Sequence, residues 1–187
     1  MYHMYNTSKN KQVTYSLDTL SSSLYQLMLK KNFNDITITE ICDNCSITRK
    51  TFYRNCDDVY DLIDYRADQE IRKALNEISW YRSPTPDIVY TFFKFWEQRK
   101  SMLMLLYNQG LFPHFKARVI KIGSEYDDYQ KITSVIGRGY PVIKEYYDAF
   151  VIGGFVQLME SWISHNFDLS AAELTEVYLL FKQGREL

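Results

Sequence analysis

The sequence predicts an all-α protein. Apolar residues recur at intervals of three and four along most of the 187 residues, which is the period of an amphipathic helix rather than the alternation of a strand. Two capping boxes, at Thr37–Glu40 and Ser170–Glu173, mark the beginnings of helices. Seven Gly and four Pro residues punctuate the chain. We therefore expect a series of helices joined by short connections.

The first part of the chain contains four predicted helices. An apolar stripe predicts a first helix over about 14–31. The capping box at Thr37 opens a short second helix, and Thr48 is a suitable N-cap for a third over 49–55. The fourth and longest of these helices is expected over 58–78, where apolar residues again recur with the helical period.

The second part of the chain begins at the clearest break in the helical pattern. Thr85 is expected to be an N-cap, with Pro86 at the first helical position. A long helix over 141–165 is apolar on nearly all sides, so it must be buried on more than one side. The capping box at Ser170 opens the last helix. The sequence contains no internal repeat and no convincing alternating pattern of a strand.

Composition and charge exclude several classes of protein. Hydrophobic residues make up 46% of the chain, and 22 basic against 23 acidic residues leave a formal charge of −1. This balance excludes a strongly cationic surface for nucleic acid or membranes, although it allows a local basic patch. Charged residues interrupt the longest apolar segment, 141–163, so no membrane contact is expected. Three cysteines, an odd number, argue against disulfides and favour the cytoplasm.

A motif with a defined order and spacing follows the first predicted helix. Residues 35–41 read Asp-Ile-Thr-Ile-Thr-Glu-Ile, and residues 45–55 read Cys-Ser-Ile-Thr-Arg-Lys-Thr-Phe-Tyr-Arg-Asn. Both segments resemble the helix-turn-helix of TetR/AcrR-type one-component transcriptional regulators. The resemblance implies a helix-turn-helix DNA-binding domain with an N-terminal arm over 1–57. It also implies a helical regulatory and dimerisation domain over 58–187, which begins with a connecting helix at 58–78.

Residue types suited to DNA lie on the two helices of this motif. In a helix-turn-helix, the second helix lies in the major groove and the first crosses the backbone. Arg49 or Lys50 can donate to guanine, and Asn55 can pair with adenine. Hydroxyl groups can contact phosphate oxygens, which set the register. The candidate DNA-binding residues are Thr37, Thr39, Arg49, Lys50, Thr51, Tyr53, Arg54 and Asn55.

Several positions depart from the family's pattern. Ser46 stands at the usual turn glycine, where a positive φ would cost a non-glycine residue about 1 kcal/mol. Cys56 replaces an aromatic residue. Val59 stands where the family commonly has a phosphate-contacting lysine, and Asp57 and Asp58 before it would repel phosphate. An alternative is therefore a dimeric binding module of the same fold with weakened or lost DNA binding.

The cysteines leave a second alternative open. Cys42 and Cys45 form a Cys-x-x-Cys pair on the second predicted helix. We expect them to be small buried side chains, although a cysteine-based redox sensor is possible in principle. Cys56 and the three scattered histidines lack the spacing of a zinc site. No nucleophile, metalloprotease or phosphate-loop motif occurs, so neither enzymatic activity, a cofactor nor a metal is expected.

The family resemblance further implies an effector cavity between the middle helices. A small apolar or aromatic molecule would occupy it, within mostly hydrophobic walls. Ordinary core packing is the alternative for each aromatic residue of this region. The candidate ligand-binding residues are Phe93, Trp96, Met104, Tyr107, Phe115, Phe155 and Met159.

The last two helices are expected to form a homodimer. In the family they pack with the same pair from a second subunit, and a two-fold dimer matches a palindromic operator in double-stranded DNA. The resemblance thus implies a repressor that a small molecule releases from its operator. The expected interface residues are Phe155, Trp162, Val177 and Phe181.

Overall fold

The computed structural model describes residues 5–7, 10–78, 85–126 and 141–183, and it is helical throughout, without strands in these ranges. The prediction of an all-α fold is confirmed. A single 3-10 turn at Phe33–Asp35 separates the first two helices. The α-helices of the described ranges are α1 Lys11–Met28, α2 Ile38–Asn44, α3 Arg49–Asn55, α4 Tyr60–Glu77, α5 Thr85–Glu97, α6 Lys100–Asn108, α7 Phe112–Glu125, α8 Pro141–Ser164 and α9 Ala171–Gln183.

Both predicted capping boxes are present. At the start of α2, the Thr37 hydroxyl accepts from the Glu40 amide at 3.2 Å, and the Thr37 amide donates to the Glu40 carboxylate at 2.9 Å. Hydrogen bonds from Lys31 and then from Thr37 lower the pKa of Glu40 to about 2. At the start of α9, Ser170 and Glu173 make the same reciprocal pair, at 3.3 and 2.8 Å. Helix α5 begins at Thr85, whose side chain lies outside the described residues.

Helices α1 to α3 pack around a small apolar centre. Leu20 and Leu24 of α1, Ile41 of α2 and Phe52 of α3 are all fully buried. The hydroxyl of Ser23 donates to the carbonyl of Ile41 at 2.8 Å and ties α1 to α2. Burial of a side chain as large as Phe52 contributes about 2 kcal/mol, so this centre fixes the orientation of the short helix α3.

Helix α4 joins these three helices to the rest of the chain. On one side, the hydroxyl of Tyr65 donates to Asp18 of α1 at 2.8 Å. On the other side, Asp68 accepts two hydrogen bonds from Arg118 of α7, one of them at 2.6 Å from Nε. The hydroxyl of Tyr5 donates to the same carboxylate at 2.7 Å. Asp68 is only 2% exposed, so the α4–α7 contact contains a buried ion pair.

An aromatic core fills the space between α5, α7 and α8. The rings of Trp96 and Phe115 meet edge to face at 5.1 Å between centroids. Phe93 contacts Phe155 at 5.6 Å and Trp162 at 6.0 Å. Edge-to-face pairs of this kind are favourable beyond the area that they bury. None of the described helices is long and apolar enough to cross a membrane.

The ion pair between α4 and α7 gives a prediction about stability. Asp68→Asn leaves the guanidinium of Arg118, whose side chain is 17% exposed, without its charged partner. We expect the free energy of unfolding to fall by about 3 kcal/mol, measured by urea unfolding followed by circular dichroism. The control is Asp168→Asn at an exposed position, which should change stability by less than about 0.5 kcal/mol. Equal losses in the two variants would contradict the importance of the pair.

Candidate functional site

Helix α3 presents one exposed polar face. Thr48 caps it, because its hydroxyl accepts from the Thr51 amide at 3.2 Å, and Phe52 points inward and is fully buried. At 100° per residue, the outward positions fall within one arc of the helix. Four of the candidate DNA-binding residues lie together on this exposed arc: Arg49, Lys50, Tyr53 and Arg54.

Asn55 lies on the opposite side of α3, contrary to its expected role at adenine. The residue is 2% exposed, and its amide nitrogen donates to the Thr51 carbonyl at 2.8 Å. Its side-chain oxygen accepts from the side chain of Asn6 at 3.3 Å. The prediction for Asn55 is therefore corrected: this amide closes the end of α3, and reaching a base edge would break both contacts.

The candidate threonines differ in how free their hydroxyls are. Thr39 is exposed in the first turn of α2. Thr37 is exposed too, but its hydroxyl donates to the Glu40 carboxylate at 2.9 Å within the capping box. Thr51 is half-buried, with its oxygen 3.0 Å from that of Thr48. Thr39 is thus the threonine best placed for a phosphate oxygen.

The turn between α2 and α3 contains a strained residue. Ser46 has a φ of 55°, in the left-handed region that favours glycine. The Ser46 amide donates to the carbonyl of Asp43, and the Ile47 amide donates to that of Cys42 at 3.0 Å. This is the Schellman pattern, which satisfies the last carbonyls of a helix. Ser46 therefore has the positive φ for which the sequence analysis gave the cost to a non-glycine residue.

The acidic residues after α3 make hydrogen bonds at the N-terminus of α4. Asp58 accepts from the Tyr60 amide at 2.8 Å and from the Asp61 amide at 3.3 Å. The Asp57 amide donates to the Asp61 carboxylate at 2.7 Å. Negative charge at a helix N-terminus is stabilising. Val59, which precedes α4, makes no capping hydrogen bond with its side chain.

The N-terminal arm reaches the end of α3, a feature that the sequence did not reveal. The amide of Asn6 donates to the last carbonyl of the helix, that of Asn55, at 2.7 Å. The preceding residue, Tyr5, is anchored at Asp68 and meets Tyr65 edge to face at 5.2 Å. The hydrogen-bonded residues are 49 and 63 positions apart in sequence, so no local pattern could have indicated them.

The cysteines are mostly buried. Cys42 and Cys56 are each 2% exposed, and the half-buried thiol of Cys45 donates to the Ile41 carbonyl at 3.1 Å. Burial raises the pKa of Cys42, and burial followed by the charge of Asp61 raises that of Cys56 to about 12. These two thiols are therefore poor nucleophiles, which disfavours the redox alternative. Within the described ranges, no cluster of three or more His, Cys, Asp or Glu residues could hold a metal ion.

The candidate ligand-binding residues form packed core instead of cavity walls. Phe93, Trp96, Phe115 and Met159 are completely buried, and the ring contacts given above fill the space between them. Phe155 stacks on Tyr178 at 4.3 Å. Met104 is half-buried and Tyr107 is 37% exposed. Three clefts among the described residues are lined by other side chains. The burial of the four core residues supports ordinary packing, the alternative for these residues.

The expected interface residues are also more internal than predicted. Trp162 is 2% exposed, and its indole N–H donates to the Leu169 carbonyl at 2.8 Å. Phe155 and Val177 are half-buried, and the side chain of Phe181 lies outside the described residues. Among the described side chains of α8, the large exposed apolar residues are Tyr146, 73% exposed, and Phe150, 79% exposed. These two residues lie one turn apart on the same face, and periodicity did not indicate them because the helix is apolar on nearly all sides.

A comparison with known protein families identifies the helical part that follows α4. The model of the TetR-type transcriptional regulator C-terminal region matches residues 85–180, which is 96 of the 187 residues. The match begins with α5 and ends within α9. No curated protein matches the chain. The match to the family model does not include the helix-turn-helix segment. It is therefore independent of the resemblance that residues 35–55 show to the same family.

The turn of the helix-turn-helix gives a second prediction about stability. Ser46→Gly removes the Cβ that is strained at positive φ, and we expect a gain of up to about 1 kcal/mol in the free energy of unfolding. The control is Ser46→Ala, which keeps the Cβ and should give no gain. Chemical denaturation of the three proteins under identical conditions measures the difference. An equal gain in both variants would show that the serine hydroxyl, and not the backbone angle, is the source.

Proposed function

The chain belongs to the TetR family of transcriptional regulators, and from this premise we propose that it is a ligand-responsive repressor that binds a palindromic operator in double-stranded DNA as a homodimer. The observation that carries the proposal is the exposed face of α3, with Arg49, Lys50, Tyr53 and Arg54 on one arc above the buried Phe52. As a regulator of transcription, the protein would act in the cytoplasm.

The proposed DNA contacts divide into base readers and backbone contacts. Arg49 and Lys50, in the first turn of α3, would donate to guanine O6 and N7 in the major groove. Tyr53 and Arg54, one turn further along, would contact phosphates together with Thr39 of α2. With these contacts, each subunit would bind one half-site, and the two half-sites would lie about one helical turn of DNA apart.

Dimerisation is proposed through α8. Tyr146 and Phe150 form an exposed apolar stripe, which Gly154 continues one turn later. A Cβ added at Gly154 would meet no atom within 4 Å, so a second helix could approach closely there. Large exposed apolar surface of this kind usually marks an interface. Because the expected residue Trp162 is buried within the subunit, the interface would be centred nearer the start of α8.

We propose that α4 transmits the signal. Residues 1–57 would form the DNA-binding domain and 58–187 the regulatory and dimerisation domain, with α4 as the connection. Its contacts support this role, since Tyr65 ties it to α1 and Asp68 ties it to α7. An effector that binds one position of these helices better than another would change the separation of the two recognition helices.

A second candidate function is a binding module that has lost DNA recognition. It is favoured by the carboxylates of Asp57 and Asp58 and by Val59 at the junction of α3 and α4. These residues reduce the attraction of the region for phosphate. Selection of DNA by the purified protein distinguishes the two functions, because a module of this kind would enrich no sequence.

The operator selection gives a prediction for α3. The wild-type protein should enrich one inverted repeat from genomic fragments, with a shallow slope of log K against log salt because few cations face the backbone. Arg49→Ala should cost about 1–3 kcal/mol and relax the preference at one position of each half-site. The control is Lys30→Ala, which removes an exposed charge at the end of α1 and should leave the preference intact. An unaltered preference in Arg49→Ala would overturn the assignment of α3 to the major groove.

The exposed stripe of α8 gives a prediction about assembly. Phe150→Glu places a charge in the proposed interface, where desolvation without a partner is costly, and should convert a dimer into a monomer. Sedimentation equilibrium measures the change in mass. The matched control is Leu29→Glu, since Leu29 is similarly exposed, at 74%, but follows α1. A dimer that persists in Phe150→Glu would place the interface elsewhere.

A further inference from the structure

A polar cleft lies where three parts of the protein meet. It has a volume of about 680 Å³ and is lined by residues of α1, α4 and α6 and of the short connection before α6. The neighbouring contacts show that α6 is held against α1, because Gln109 donates to the carbonyls of Met28 and Lys31 at 2.9 and 3.2 Å. The cleft therefore touches a helix of the helix-turn-helix, the connecting helix and the regulatory part at once.

Positive charge exceeds negative charge in this cleft. Its lining contains three cations, Arg66, Lys73 and Arg99, and among the described lining residues a single carboxylate, Glu70. Glu70 accepts from Arg99 at 2.7 Å and from Lys73 at 2.9 Å, and Arg66 lies 3.7 Å away. Burial opposes its ionisation, but these hydrogen bonds hold the pKa of Glu70 below its usual value. One negative charge thus faces three positive charges.

The cations differ in how firmly they are held. Arg99 lies over the ring of Phe95 at 3.3 Å and also donates to the Phe95 carbonyl at 3.0 Å, so its position is fixed. Arg66 and Lys73 are 38% and 54% exposed. The contact of Arg66 with Glu70 is too long for a hydrogen bond. Arg66 has no hydrogen bond to Glu70 to give up, whereas Lys73 would give up its 2.9 Å hydrogen bond to Glu70 in turning toward an incoming anion.

The cleft also contains an unused hydrogen-bond donor. The hydroxyl oxygen of Tyr25 is buried and has no partner among the described residues. Burial raises the pKa of Tyr25; the charge of Arg66 opposes this shift and that of Glu70 adds to it, so the hydroxyl stays protonated and can donate. A buried polar group without a partner is costly. A bound acceptor would remove that cost.

We propose that this cleft binds a small organic anion that carries carboxylate or phosphate groups, held by Arg66, Lys73 and Arg99 and by a hydrogen bond from Tyr25. The volume is that of a metabolite site and exceeds what a simple inorganic ion needs. The polar, cationic lining distinguishes this ligand from the apolar or aromatic effector expected in the core. Two excess positive charges match an anion with a charge near −2.

Binding there would affect the recognition helices. An anion that draws Arg66 and Lys73 of α4 toward Arg99 would fix α4 against α1 and the segment before α6. This regulatory consequence rests on the proposed function, whereas binding itself does not. By linkage, an anion that changes the affinity for DNA is itself bound more or less tightly by the DNA complex, by the same factor.

Calorimetric titration of the full chain tests binding. The probes are succinate, inorganic phosphate and phosphoglycerate, which distinguish carboxylate, phosphate and a molecule with both groups. Succinate or phosphoglycerate should bind more tightly than inorganic phosphate, and Arg66→Gln should weaken that affinity by about tenfold. Tyr25→Phe should weaken it by a similar factor without lowering the thermal stability of the free protein, since the hydroxyl has no partner to lose. The control, Lys30→Gln, should leave the affinity within about twofold.

Two results would overturn the proposal. One is the absence of binding of all three probes at millimolar concentration, and the other is binding that Arg66→Gln and Tyr25→Phe leave as strong as in the control. Should Arg66→Gln fail to fold, Tyr25→Phe alone decides. The affinity for the selected operator is then measured with and without the probe. If the protein binds the probe but no DNA, the proposal of an anion-binding cleft stands and the proposed repressor function is refuted.

Discussion

The buried carboxylate of Asp68 is the point on which the arrangement of this protein depends. Arg118 of α7 approaches it with two hydrogen bonds, and the hydroxyl of Tyr5 provides a third. Buried charges tolerate poor geometry badly, because a displaced partner leaves a desolvated charge uncompensated. A displacement of α7 must therefore move α4 as well, and the N-terminal arm must move with both helices. In the proposed function, these contacts would couple the regulatory part to the DNA-binding part.

The same constraint supports helix α3, the proposed recognition helix, which is too short to be stable alone. Seven residues are well below the length at which a helix persists in water. Helix α3 relies on the burial of Phe52, on the cap from Thr48 and on the arm at its last carbonyl, where Asn6 binds. Since the arm is anchored at Asp68, the end of α3 and the contact between α4 and α7 share one support.

Local features of this fold could be predicted from the sequence, whereas pairings between distant residues could not. The capping boxes and the span of α3 follow from a few neighbouring residues. Helical periodicity, however, shows which face is apolar and not what it packs against. For this reason the aromatic residues around Phe93 were compatible with the walls of a ligand cavity, and Trp162 with a place in the dimer interface. The buried position of Asn55 and the composition of the cleft at Tyr25 depend on partners tens of residues away in sequence.

The junction of α3 and α4 shows which of its residues folding requires. Helix α4 follows α3 after a short connection, and its unpaired amides need an acceptor, which Asp58 supplies. Val59 stands where the resemblance implies a lysine, and its side chain takes no part in this cap, so folding requires the carboxylate of Asp58 but not the absence of that lysine. In the proposed repressor, this junction would give little charge attraction to the DNA backbone, and non-specific binding to DNA would be weak. In a repressor built this way, base contacts by Arg49 and Lys50 contribute a larger share of the affinity, so discrimination between operator and other DNA depends less on salt.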